Sequence, residues 1–286
     1  MSKSERLRIG IHLSIAGGLP KAIESAVAKG CDGLQIFARN PRGWTARVLE
    51  LNEVCAFREA RERANLWPLA IHSVYLINLA AQDPVVLERS RRAFREEVER
   101  GLLLGADYLV VHPGNPVTAP FDVGILTAVE SIREATRDLD LNGLTILLEN
   151  TAGQGSAIGC HFDQLADMLA MLDGLPVGVC LDTAHTLAAG YDIATAKGLK
   201  ATMRLIDRSF GFERIKLIHC NDSKAPCGAR VDRHQHIGEG HIGAEAFRRL
   251  THTLKFRRVP FILETPIDSA HDDRWNINRL RELAGD

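Results

Sequence analysis

Six short apolar runs of this chain end on side chains able to ligate a metal: His72, His112, Glu149, Asp182, His219 and Glu264. Two further pairs follow such ends. Asp182 is followed three residues on by His185, one helical turn away if a helix starts there. Asp232 and His234 stand two apart, on one side of an extended loop. Together these are nine candidate ligands, five imidazoles and four carboxylates, with no thiolate among them. Mixed nitrogen and oxygen donors with open positions suit catalytic zinc or manganese. Nine donors are too many for one ion, whereas three per ion with a bridging carboxylate suits three. Phosphodiester hydrolysis needs what such a cluster offers, because the substrate is anionic, the attacking water weak and the leaving alkoxide strongly basic. A bound cation lowers the pKa of water from 15.7 to about 7, and paired ions clamp the attacking and leaving oxygens.

Such residues must be positioned by a scaffold, and the runs themselves describe one. They are RIGIH from Arg8, GLQIFA from Gly33, PLAIHS from Pro68, YLVVHP from Tyr108, LTILLEN from Leu144, VGVCLDT from Val177, RIKLIHC from Arg214 and PFILET from Pro260. Each reads as a buried parallel strand. Helical patterns separate them, such as Pro84 to Leu104. Eight β/α units in one direction predict a single (β/α)8 TIM barrel over residues 1–286, with residues 1–6 as an N-terminal extension. Barrel enzymes place chemistry at the C-terminal strand ends. The polar residues lie there in all eight units: His12, Asn40, His72, His112, Glu149, Asp182, His219 and Glu264. One such residue is ordinarily a satisfied core group; eight in eight are not.

The chain has 286 residues, 45% hydrophobic and 25% charged, which is ordinary globular composition. Six irregularly spaced cysteines, none in C-x-x-C, predict reduced thiols. MSKSERLRIG holds no apolar stretch of a signal peptide, and no run approaches the ~20 residues of a membrane span. A cytoplasmic enzyme is expected, nucleoid-associated if bacterial. The formal charge of −1 argues by itself against nucleic-acid binding. Its distribution matters more. Three divalent ions, +6 in all, would turn that −1 into +5.

The segments YLINL from Tyr75, ENTAGQG from Glu149, GVCLDTAHTLAAGYD from Gly178, HCNDSK from His219 and GARVDRHQHIGEG from Gly228 resemble the endonuclease IV family of zinc-dependent apurinic/apyrimidinic endonucleases. The resemblance runs from about Ile9 to Glu264, and all nine ligand positions of the family pattern carry the expected residue types. It implies three zinc ions, with manganese admissible. His72 and His112, with Glu149 bridging, would hold the first. Glu149, Asp182, His219 and Glu264 would hold the second, and His185, Asp232 and His234 the third. Glu149 would position the hydroxide that attacks the phosphate 5′ to an abasic site in double-stranded DNA, leaving a 3′-hydroxyl and a 5′-deoxyribose phosphate. The resemblance also sends the loop from Asn40 to Trp44 into the minor groove, with Arg42 inserted and Tyr75 and Leu76 filling the gap in the stack. Wedges of this kind cost least at a damaged site. His12 would orient a ligand or a phosphate from behind. His161, His236, His241 and His271 read as solvated loop histidines. A monomer is expected. Two other readings compete. A sugar isomerase or epimerase would use Glu149, Asp182, His219 and Glu264 alone, and a metal-stabilised damage sensor would bind without cleaving.

Overall fold

The computed structural model of the chain describes residues 6–286. The expected extension lies outside the described residues except for Arg6, which is exposed and reaches Asp32 at 4.0 Å. Among the described residues there are ten strands: β1 (Ile9–Leu13), β2 (Gly33–Phe37), β3 (Leu69–His72), β4 (Tyr108–Val111), β5 (Thr145–Glu149), β6 (Val177–Asp182), β7 (Ile215–His219), β8 (Asp222–Ser223), β9 (His234–Gln235) and β10 (Phe261–Leu263). The eight apolar runs are β1 to β7 and β10. They close into a parallel barrel in the order β1-β10-β7-β6-β5-β4-β3-β2, with helices between successive strands. The protein is a TIM barrel. β8 and β9 form a small antiparallel ribbon, which the sequence patterns did not reveal because each strand is two residues long.

Strand alternation divides the core in two. Leu69 and Ile71 join the large core that the helices share. Ala70, Val110, Leu147, Cys180, Leu217 and Ile262 form a separate cluster. Two residues beyond each of these six, on the same face, stand His72, His112, Glu149, Asp182, His219 and Glu264. The period of two that fills the barrel interior thus also aims six ligand-type side chains at its mouth. Gly10 and Gly33 admit β1 and β2 to close packing, since a Cβ at Gly10 would lie 2.4 Å from the Gly33 carbonyl oxygen.

The helices have local causes. Pro84–Leu104 opens with Pro84 in its first turn, and the Asp83 carboxylate accepts from Val85 N (2.8 Å) and Val86 N (3.0 Å). It ends at Gly105, whose left-handed φ of 67° suits glycine. All six cysteines are free, as expected. Among the described residues no helix is long and apolar enough to cross a membrane.

Candidate metal centre

Glu149 is fully buried at the centre of the barrel mouth. Its Oε2 faces His72 Nε2 at 3.0 Å and His112 Nε2 at 3.3 Å. Its Oε1 faces His219 Nδ1 at 2.9 Å and His185 Nδ1 at 3.5 Å. His219 Nδ1 also lies 3.3 Å from Glu264 Oε2. Among the described residues the donors fall into four overlapping groups whose ligand atoms lie within 4.8 Å of one another: His72, His112 and Glu149; His72, His219 and Glu264; Glu149, Asp182, His219 and Glu264; Asp182, His185 and His234. Asp232 adjoins the last group. Its Oδ2 is 3.2 Å from His185 Nε2 and its Oδ1 3.4 Å from His234 Nε2.

The scaffold presets the imidazoles. Backbone carbonyl oxygens only accept, so a ring nitrogen bonded to one must carry hydrogen. His72 Nδ1 donates to Ser73 O (2.8 Å) and His234 Nδ1 to Glu264 O (3.1 Å). His185 Nδ1 donates to Asn150 O (2.9 Å). In the neutral ring the Nε2 lone pair of each is then left for the cluster, the arrangement found around ligating histidines. Asp182 is placed similarly. It caps the short helix Thr183–Ala188, its Oδ1 accepting from His185 N at 2.7 Å, which confirms the one-turn spacing. Its Oδ2 accepts from Asn221 Nδ2 at 2.7 Å. Ribbon pairing of Ser223 with His234 brings the last histidine to the mouth.

Two features test whether this set fits metal. His185 Nε2 and His234 Nε2 are buried without a hydrogen-bond partner, although Asp232 oxygens are close. The donor and acceptor do not point at each other, as when both point at a third atom between them. The spacing agrees: bonds of about 2.0–2.2 Å at a tetrahedral angle put donors about 3.3–3.5 Å apart. The residues fit divalent cations of the zinc type. Among the described residues, a groove between residues 44–49 and helix Pro84–Leu104 contains none of these donors.

The electrostatics show the same demand for positive charge. Burial opposes ionisation of Glu149 and Glu264, yet His112 and His219 beside the first and His219 and His12 beside the second hold both well below the usual carboxylate range. Burial likewise opposes a charged His185, but Asp182 and Asp232 push it up to about 10. Burial opposes a charged His72 as well, but Glu149 raises it. Protons on these rings occupy the places that cations would take. His12 is the contrast: burial lowers it, despite its 3.1 Å contact with Glu264 Oε1.

The other expected residues are distributed as follows. Arg42 is exposed on its loop, Tyr75 is 69% exposed and Leu76 half-buried. Tyr75 stands edge-on to Phe37, centroids 5.2 Å apart, so it is not core. Asn40 does not join the bowl. Its strand stops at Phe37, and its Oδ1 accepts from Arg42 N at 3.1 Å. Gln35 is the residue that β2 sends inward. It is fully buried between His12, His219 and Glu264. A lone amide inside GLQIFA was the available sign. Asn150 and Asn221, which hold Asp182 and Glu264, were likewise missed. His236 corrects an expectation. It is 1% exposed, with its ring nitrogens at 3.1 Å from Asp268 Oδ2 and 3.0 Å from Asn276 Nδ2. It is a structural histidine, because helix Asp273–Ala284 covers its loop. His271 stacks on Trp275 at 3.5 Å.

Residues 23–283 match a family model described as a xylose isomerase-like TIM barrel. Over 282 residues the chain is 48% identical to the "Probable endonuclease 4" of Solibacter usitatus, covering 98% of this chain and 97% of that one. It superposes on the crystal structure of endonuclease IV from Thermus thermophilus with a TM-score of 0.85 and 38% identity, covering 97% and 99% of the two chains. A D-tagatose 3-epimerase-like protein aligns with a TM-score of 0.73 over 98% of this chain and 97% of its own, but at 18% identity it shares the fold alone.

Proposed function

The chain belongs to the endonuclease IV family, and from that premise we propose that it is a metal-dependent DNA repair phosphodiesterase that incises double-stranded DNA on the 5′ side of abasic sites. The products would be a 3′-hydroxyl and a 5′-deoxyribose phosphate. The cofactor would be three zinc ions, manganese being admissible at one or more sites. The observation that carries this reading is the convergence of five imidazoles and four carboxylates on one crater, with two imidazole nitrogens buried and unpartnered.

Zinc bound there would supply Lewis acidity toward phosphoryl oxygens and a water that ionises near pH 7. His72, His112 and Glu149 would hold one ion, and Glu149, Asp182, His219 and Glu264 a second. His185, His234 and Asp232 would hold the third, with Asp182 adjoining. Glu149 turns one oxygen to His72 and His112 and the other to His219, so it would serve the first two ions and position the attacking water. His12 lines the crater with its Nδ1 3.1 Å from Glu264 Oε1 and would orient that ligand or a phosphate. Arg42, on a loop that Asn40 shapes, would hold the opened duplex together with Tyr75 and Leu76, which follow β3. The protein would act as a monomer in the cytoplasm, at the nucleoid if bacterial.

A sugar epimerase could use Glu149, Asp182, His219 and Glu264, but would leave His72, His112, His185 and His234 without a task. The deciding experiment offers zinc-loaded protein a duplex with one abasic site, the same duplex undamaged, and a ketose. Incision only of the first is expected. Ketose turnover without incision would transfer the site to isomerase chemistry, and tight abasic binding without incision to a damage sensor.

A further inference from the structure

Gln35 lies at the floor of the crater, in register with His12 on one side and Ala70 on the other. Its side chain touches three groups. Nε2 is 2.7 Å from Glu264 Oε1 and 3.0 Å from His12 Nδ1, and Oε1 is 2.9 Å from His219 Nε2. The amide can stand only one way round. The Glu264 carboxylate accepts and does not donate, so the amide end facing it is the NH2 group. The oxygen therefore faces His219, and an amide oxygen requires a hydrogen on His219 Nε2. In the neutral ring this leaves the lone pair on Nδ1, the atom 2.9 Å from Glu149 Oε1 and 3.3 Å from Glu264 Oε2. The same Nε2 lies 3.0 Å from His12 Nδ1, which is itself 3.1 Å from Glu264 Oε1, so the amide and the imidazole share one carboxylate oxygen.

We propose that Gln35 is the positioning residue of the centre, fixing through one amide the ligating nitrogen of His219 and the orientation of Glu264. The other ligating rings with a fixed tautomer rely on backbone carbonyls, which no substitution removes; His219 relies on a side chain. The proposal rests on the reading of this cluster as a seat for divalent cations. Its consequence is selective. Without Gln35, His219 is free to present Nε2 or to rotate, and Glu264 loses its 2.7 Å anchor, so the ion between them is weakened while the one at His72 and His112 is not.

The test uses the whole chain and zinc, with Gln35→Met, which keeps length but donates no hydrogen bond and accepts only weakly, and Gln35→Glu, which still accepts from His219 but no longer donates to Glu264. Zinc affinity is measured by competition with a chromophoric chelator, with elemental analysis of the retained ions. Nitrogen-15 histidine spectra report the His219 tautomer in the wild type. The expected result is about 10–100-fold weaker affinity for one ion of the set in Gln35→Met. Gln35→Glu should keep the Nε2–H tautomer of His219 that Gln35→Met loses. Zinc-loaded wild type with His219 protonated on Nδ1 overturns the proposal even if neither variant folds. Unchanged affinity for every ion in a folded Gln35→Met also overturns it and leaves the cluster reading intact. Wild type that binds no zinc removes the cluster reading itself.

Discussion

Glu149→Gln is the sharpest perturbation of the centre, because it changes charge and almost nothing else. In the wild type each carboxylate oxygen faces two imidazole nitrogens, at 3.0 and 3.3 Å on one side and 2.9 and 3.5 Å on the other. An amide has one accepting oxygen and one donating nitrogen. Whichever way it turns, either His72 and His112 or His219 faces N–H, and a cation on that side exchanges an anionic ligand for the positive end of a dipole. Losing one preorganised electrostatic contact costs about 10²–10³ in kcat, roughly 2.7–4 kcal/mol. Glu149 serves two ion positions at once, so the loss should lie near the upper figure. Glu149→Asp keeps the charge but is shorter by one methylene, about 1.5 Å, and should fall between the two. The assay is single-turnover incision of a labelled abasic duplex, with zinc content measured on the same sample. Near-wild-type turnover in Glu149→Gln with a full metal load would show that the nucleophile is not organised here.

Three further outcomes follow from the geometry. Purified protein should carry about three transition-metal ions per chain; strong chelation should abolish incision and zinc restore it, while magnesium, which prefers octahedral oxygen sites, should not. Full incision by protein shown to be metal-free would refute this. Arg42→Ala and Tyr75→Ala should weaken binding to abasic duplex by about 1–3 kcal/mol and affect undamaged duplex less. Because Tyr75 is exposed, the melting temperature of its variant should not fall; an unchanged affinity ratio for Arg42→Ala at one salt concentration removes its loop from recognition. In metal-free protein, His185 is pushed up to about 10, so its stabilisation is complete below the ordinary histidine value and is lost as pH rises toward 10. Asp232, against its burial, is lowered to about 2 by His185 and its neighbours, so its share is complete above the ordinary carboxylate value and is lost as pH falls toward 2. Calorimetry should therefore show the metal-free melting temperature falling between about pH 6.5 and 10, with a much flatter profile in the zinc-loaded protein, whose His185 nitrogen is no longer free to titrate. Parallel profiles would refute the shared seat of proton and cation.

The barrel and most of the site were legible in the chain because both depend on local period. An apolar residue at one inward position and a ligand type two residues on, as in Ala70 and His72 or Leu147 and Glu149, record the strand, its inward face and its open end together. Asp182 and His185 likewise record a helix start. What the chain could not declare was which donors meet. Gln35 contacts His219 across 184 positions of sequence and Glu264 across 229, and those separations close only when the first strands pair with the last. For the same reason Asn40 looked like the second strand's contribution, although the strand stops at Phe37 and its loop turns the side chain back on Arg42. His236 looked solvated until the helix beginning at Asp273 covered it. Local sequence determined the faces and the ligand types, since side-chain direction follows from the backbone period. Barrel closure decided the tautomers, the shared carboxylate and the burial of charge, since each depends on groups that only the tertiary fold brings within hydrogen-bonding distance.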